Sequence, residues 1–115
     1  MLFRSNVICP SAFKIPELMD VWFSVTSSMI QQAILSPLQI AWASHHMFEI
    51  VHPFIDGNGR TGRLLLNKIL TELGAEPILV YFKDRFEYYD SINHFRKLHF
   101  DNGKFINLEE LIKGA

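Results

Sequence analysis

The chain has 115 residues, 49% of them hydrophobic, with a formal net charge of −1. That is enough chain for a single domain (1–115) with one apolar core, and the near-neutral balance excludes nucleic acid and anionic membrane as general partners. No apolar run approaches the roughly eighteen residues of a membrane span, Arg4 and Asn6 interrupt any secretory signal core, and a lone Cys9 cannot form an intrachain disulfide, which together suit a cytoplasmic protein.

Leu2 to about Ile15 reads as extended chain, with Cys9-Pro10-Ser11 as a turn, and suits a hairpin or flap. A first helix is predicted from near Pro16, a favourable first helical residue, to around Ile34, with Leu18, Val21, Trp22 and Val25 on its apolar face. Ser36-Pro37 is a cap followed by proline. It opens a second helix through Ile40, Ala43, Met47, Phe48 and Val51, apolar around much of its circumference and therefore expected at the centre of the fold. Leu65, Leu66, Ile69, Leu70 and Leu73 mark a third helix from about Gly59 to Leu73, with Gly74 as its stop. Residues 76–82 form a connector whose apolar run also suits a short strand. A helix from about Asp84 to His99 and a short one from Asn107 to Lys113 complete the domain.

Chemistry concentrates in residues 52–63, HPFIDGNGRTGR. Gly57 and Gly59 flank Asn58 at the start of the third helix, where glycines let backbone amides approach a ligand and the helix N-terminus favours phosphate. Arg60 and Arg63 are neighbours on one face and add two charged forks suited to phosphate oxygens. A pyrophosphate or triphosphate group could engage all of these. Asp56 is placed to hold a hard cation such as Mg²⁺, which often takes only one or two ligands from protein. His52 is a candidate proton acceptor near neutral pH.

Three other readings of the same letters fail. GNGRTG satisfies the dinucleotide-binding pattern G-x-G-x-x-G, but the preceding segment is helical where that fold needs a strand. No GK[ST] is present for a Walker loop. The histidines, His45, His46, His52, His94 and His99, lack H-E-x-x-H spacing, and no CxxC accompanies them, which disfavours zinc.

The stretch resembles the Fic (Fido) signature HxFx[D/E]GNGRxxR at every specified position: His52, Phe54, Asp56, Gly57, Asn58, Gly59, Arg60 and Arg63. His45 and Phe48 precede His52 at spacings frequent in Fic proteins. YYDSI, with Tyr88 and Tyr89, looks like the family's YYxAL segment, and FRSNVICPSAFKIP is similar to the region that forms the Fic flap. The resemblance covers most of the chain. It implies an all-α, compact Fic-type helical bundle with an N-terminal β-hairpin flap over residues 1–15, which docks the backbone of a target protein.

The activity so implied is transfer of AMP from ATP to a Ser, Thr or Tyr hydroxyl of a target protein. By the same resemblance His52 is the general base, Asp56 coordinates Mg²⁺, and Asn58 with the amides of Gly57 and Gly59 holds the α- and β-phosphates. Arg60 binds the β-phosphate and Arg63 meets the γ-phosphate. Tyr89 is assigned to the adenine pocket, against a default of packing for both tyrosines. Phe54 is expected in the core, Gly62 is read as a glycine permitting close helix contact, His45 and His46 are read as structural, and Thr61 has no assigned role.

The chain departs from the family pattern in two respects. Most Fic domains carry helical chain before the flap, whereas here the flap-like segment begins near Met1. Many also contain an inhibitory helix [S/T]xxxE[G/N], yet Glu17, Glu49, Glu72, Glu76, Glu87, Glu109 and Glu110 all lack Ser or Thr four positions earlier. Restraint then falls to a separate antitoxin-like protein, to sequence upstream, or to nothing. The alternatives are a Doc-like or other phosphate-donor transferase, disfavoured by the intact Gly59, and a catalytically silent binding module. Homo-oligomerisation is left open.

Overall fold

The computed structural model describes residues 12–54 and 56–114. A 3-10 turn, Ala12–Lys14, leads into helix α1 (Ile15–Gln32) and is followed by α2 (Pro37–Val51), α3 (Asn58–Glu72), a second 3-10 turn (Phe82–Asp84) and α4 (Arg85–His99). A two-residue antiparallel hairpin, β1 (Phe100–Asp101) and β2 (Lys104–Phe105), and a short α5 (Glu109–Lys113) follow. The chain is mostly helical, as expected. Most of the predicted flap lies outside the described residues, and its last residues are helical rather than extended. Pro16 fits the first turn of α1, where its missing N–H costs nothing, so the helix starts at Ile15.

α2 is the central element, packing against α1, α3 and α4. The core joins Val25 and Met29 of α1, Ile40, Met47 and Ile50 of α2, Leu66, Ile69 and Leu70 of α3, and Ile92 and Phe95 of α4. On the α1 side Trp22 Nε1 donates to Ser44 O at 2.9 Å, and Thr26 Oγ1 shares a hydrogen bond with Ser44 Oγ at 2.9 Å, so the polar atoms at that contact are paired.

The helix ends follow their local chemistry. Ser36 forms a capping box: its side chain accepts from Gln39 N–H, and the Gln39 side chain accepts from Ser36 N–H. α3 closes with Gly74 at φ +84°, Gly74 N–H donating to Thr71 O and Ala75 N–H to Leu70 O, the paired bonds of a Schellman stop. α1 stops at Gln32, short of Ile34, because Ala33 takes the left-handed conformation and returns its N–H to Met29 O.

The connector after α3 is not a strand. Asn67 takes both backbone groups of Ile78, accepting from its N–H at 2.8 Å and donating to its carbonyl at 2.9 Å, which satisfies the chain without a ladder. The hairpin was not predicted. Asn102 and Gly103 have φ of 52° and 73°, the two positive values that a tight hairpin turn needs, and Phe100 pairs with Phe105 across it. Ser36→Ala removes one half of the capping box and is expected to destabilise the fold by about 1 kcal/mol in urea unfolding; no change in midpoint would mean that α2 does not depend on its cap.

Candidate active site

Three loci meet where α2 ends and α3 begins. The last turn of α2 closes on His52, whose backbone is left-handed (φ 54°, ψ 59°) while its N–H donates to Phe48 O at 3.0 Å. That conformation is uncommon for a residue other than glycine. It turns the chain out of the helix and leaves His52 half-buried.

The loop beyond His52 is fixed by Asn58. Asn58 is 4% exposed; its Oδ1 accepts from Phe54 N–H at 2.9 Å and its Nδ2 donates to Phe54 O at 2.6 Å. One amide side chain therefore satisfies both backbone groups of Phe54. Phe54 is 50% exposed, so the expectation of a core phenylalanine is corrected: the loop is pinned through the Phe54 backbone. Of the groups on Asn58, the backbone N–H is the one at the helix N-terminus, while its side-chain amide is engaged with the loop.

Gly57 caps α3 at φ +80°, with nothing within 4 Å of where a Cβ would stand, so glycine is required there by conformation rather than by space. Its N–H donates to Asp56 Oδ1 at 2.8 Å. The helix ladder begins with Thr61 N–H to Gly57 O, and the N-cap residue, Gly57, has no side chain with which to cap α3. The N–H groups of Asn58, Gly59 and Arg60 thus form an open helix N-terminus, where the backbone donors and the dipole both favour an anion. Arg60 is exposed beside it. Arg63 folds back over Gly59, its Nη1 3.0 Å from where a Gly59 Cβ would stand, so the structure brings the second guanidinium to the same end of the helix. Asp56 is exposed. Among the described residues no three His, Cys, Asp or Glu side chains are grouped to hold a metal; a single exposed carboxylate fits a Mg²⁺ that draws its remaining ligands from phosphates and water.

Beneath this surface lies a buried polar cluster that sequence reasoning missed. Gly62 of α3 faces α2 so closely that a Cβ there would collide with Oε2 of Glu49, which is 0% exposed. His45, one turn before Glu49, places Nδ1 2.9 Å from Gly62 O and Nε2 2.6 Å from the Tyr88 hydroxyl. Burial and the Glu49 charge push the Tyr88 hydroxyl well above the usual phenol range, against the opposing influence of the Arg63 charge. The reading of Gly62 as a close-contact glycine and of His45 as structural agrees with this arrangement. The missed signal was a glutamate inside an otherwise apolar helix face, which demands polar company.

The His46 ring lies beside that of His45, with centroids 6.1 Å apart. Burial, with His45 beside it, pushes its imidazole down to about 3, so the ring is neutral. It lines a cleft of about 350 Å³ with Trp42, Val80, Glu87, Tyr88 and Ser91. Tyr89 is half-buried and packs edge-on against Tyr88 with ring centroids 5.0 Å apart. Tyr88, rather than Tyr89, forms a wall of the cleft.

The sequence model of the Fic/DOC family matches residues 3–70, more than half of the chain. The chain belongs to the Fic/DOC family. Among curated proteins, this Fic chain is 48% identical over 60 residues to protein adenylyltransferase Fic of Nematostella vectensis, an alignment covering 52% of the chain and 14% of that protein. It is 40% identical over 72 residues to protein adenylyltransferase fic-1 of Caenorhabditis briggsae, covering 63% of the chain and 13% of that relative. A further match, to protein adenylyltransferase fic-1 of Caenorhabditis elegans, is 44% identical over 59 residues and covers 51% of the chain and 12% of the relative. The aligned region is thus a small part of each of these proteins. Among the described residues no helix is long and apolar enough to cross a membrane.

Gly62→Ala drives a methyl group into the buried Glu49 carboxylate. It is expected to destabilise the protein by about 1–3 kcal/mol; an unchanged thermal midpoint would show that α2 and α3 can separate without penalty.

Proposed function

We propose that this Fic domain is a protein adenylyltransferase, moving AMP from Mg²⁺-bound ATP to a Ser, Thr or Tyr hydroxyl of a target protein. What supports this reading is that His52, the C-cap of α2, is followed six residues on by the N-terminus of α3, with Asp56 just before it, Arg60 in its first turn and Arg63 folded back over Gly59. The adenylyltransferase names of the relatives support the same reading.

His52 accepts the proton of the target hydroxyl as its oxygen attacks the α-phosphorus. The bond from that phosphorus to the bridging oxygen breaks, and pyrophosphate leaves as the new phosphodiester forms. General base catalysis of this kind contributes roughly 10²–10⁴-fold. The remainder is positioning and charge: the amides of the α3 N-terminus receive the phosphate oxygens, Arg60 faces the β-phosphate and Arg63 the γ-phosphate. Asp56 would hold Mg²⁺, which when bound neutralises phosphate charge. Asn58 keeps the loop closed through Phe54 while its backbone N–H joins the cradle. Tyr89 offers the adenine an aromatic neighbour braced by Tyr88.

His52→Ala should lower adenylyl transfer by roughly 10²-fold or more while ATP affinity stays within about twofold, because the base is separate from the phosphate cradle. Transfer is read from α-labelled ATP onto protein in a host lysate and affinity by calorimetry; equal loss of both would contradict the division of labour. Arg63→Ala should weaken ATP binding by about tenfold with a much smaller effect on ADP, as expected for a lost charge-assisted contact to the outer phosphate. An unchanged preference between ATP and ADP would remove Arg63 from that role.

A further inference from the structure

The connector between α3 and α4 has the composition of a strand and the bonding of half of one. From Ala75 to Tyr81 the chain forms no helix or turn. Exposure alternates along its apolar run: Ile78 and Val80 pack against the core, while Leu79 is 74% and Tyr81 57% exposed. That period of two is the mark of extended chain. In extended chain both backbone groups of one residue point to the same edge, and those of the next residue to the opposite edge. Asn67 of α3 takes both groups of Ile78, at 2.8 and 2.9 Å, and so stands where a neighbouring strand would. The N–H and C=O of Leu79 therefore face away from α3, and among the described residues neither has a protein partner. No Pro and no charge interrupts residues 78–81, the usual devices that block pairing at a free edge.

The open edge adjoins a cleft with a definite chemistry. Leu79 and Val80 line the hollow of about 350 Å³ that Trp42, His46 and Tyr88 also line. Asp84 and Glu87 stand on it too, and among the described residues no Lys or Arg does. Lys83 and Arg85, the nearest basic residues in sequence, lie instead over the rings of Tyr81 and Phe86. His46 Nε2 is buried without a hydrogen-bond partner. A second hollow shares His46 and Ser91 and is lined further by Asp90 and His94 of α4, so the groove is longer than one side chain.

We propose that residues 78–81 are a docking edge for an extended segment of a partner protein, which adds as a strand at Leu79, sets an apolar side chain in the cleft and brings a Lys or Arg to Asp84 and Glu87. Backbone bonds give such a segment its register, and its alternate side chains give specificity. Charge selects the partner: two carboxylates at an apolar cleft, with no cation lining it, attract a basic segment and repel an acidic one. The proposal does not depend on the adenylyltransferase reading.

The test is binding of a capped hexapeptide of alternating lysine and valine to the full chain, followed through ¹⁵N amide shifts. One comparison peptide replaces lysine by glutamate. Another has every backbone nitrogen methylated, which removes the donors and keeps the side chains. The proposal expects the lysine peptide to bind with a Kd on the order of 100 µM and the largest shifts at Leu79, Val80 and the Trp42 indole. The glutamate and N-methyl peptides should each bind at least about tenfold more weakly, and Glu87→Lys should shrink the preference for lysine over glutamate by about threefold or more. Leu79→Pro removes a free donor at an exposed position, and Ile78 before it already lies in extended chain, so the fold stands while peptide affinity falls about tenfold. Binding that ignores N-methylation would overturn strand addition, equal binding of the lysine and glutamate peptides would overturn the basic partner, and no binding of any peptide would overturn the whole. Should Leu79→Pro fail to fold, the peptide comparisons on the unmodified chain decide alone. Shifts at the same amides on concentrating the chain by itself would overturn the partner protein in favour of a second copy.

Discussion

The close approach of α2 to α3 at Gly62 is the constraint on which the rest of the structure depends. Without a Cβ at that point the two helices come near enough for Glu49 to lie against the α3 backbone and for His45 to take the Gly62 carbonyl. The contact sets the C-terminal end of α2 beside the N-terminal end of α3, so the chain between them has only residues 52–57 in which to turn. His52 meets that demand by adopting a left-handed backbone, and Gly57 meets it again at the start of α3. The short connection from His52 at the end of α2 to the anion-favouring N-terminus of α3 therefore goes with the packing of one glycine against a buried polar pair.

Rigidity at the site comes from side chains that imitate backbone. Asn58 takes both hydrogen-bonding groups of Phe54, and Asn67, on the same helix, takes both groups of Ile78. α3 is thus stitched at one end to the loop that precedes it and further along to the connector that follows it. Such clamps leave few backbone groups for a ligand to reorganise. The N–H groups of Asn58, Gly59 and Arg60 have no partner within the helix and Gly57 has no side chain to cap them, and such a helix end is where an anion gains most.

Much of this was legible in the sequence because it is local. Ser36-Pro37, the apolar period of α3 and its Gly74 stop each act within one turn, and the helices they mark fall within a residue or two of expectation. The motif at residues 52–63 was legible for the same reason. What the sequence did not disclose is long-range: Glu49 and Gly62 are thirteen positions apart, and His45 and Tyr88 lie in different helices with |i−j| of 43. Periodicity alone cannot say which polar residue inside an apolar face will find which partner. Two local signals were passed over. Asn102-Gly103 between flanking phenylalanines specifies a tight hairpin, and Asn58 inside the glycine pair also carries an amide able to clamp the loop that precedes it.

The central claim is that this site transfers the α-phosphoryl group of ATP with its adenosine. Incubating the chain with Mg²⁺ and a lysate of its own host, using ATP labelled in parallel at the α- and at the γ-phosphate, tests it most directly. Adenylyl transfer predicts label on protein from the α-position and none from the γ-position. Label arriving from the γ-position would contradict it and favour a phosphotransferase, and ATP binding without label from either position would leave the site as an anion-binding module.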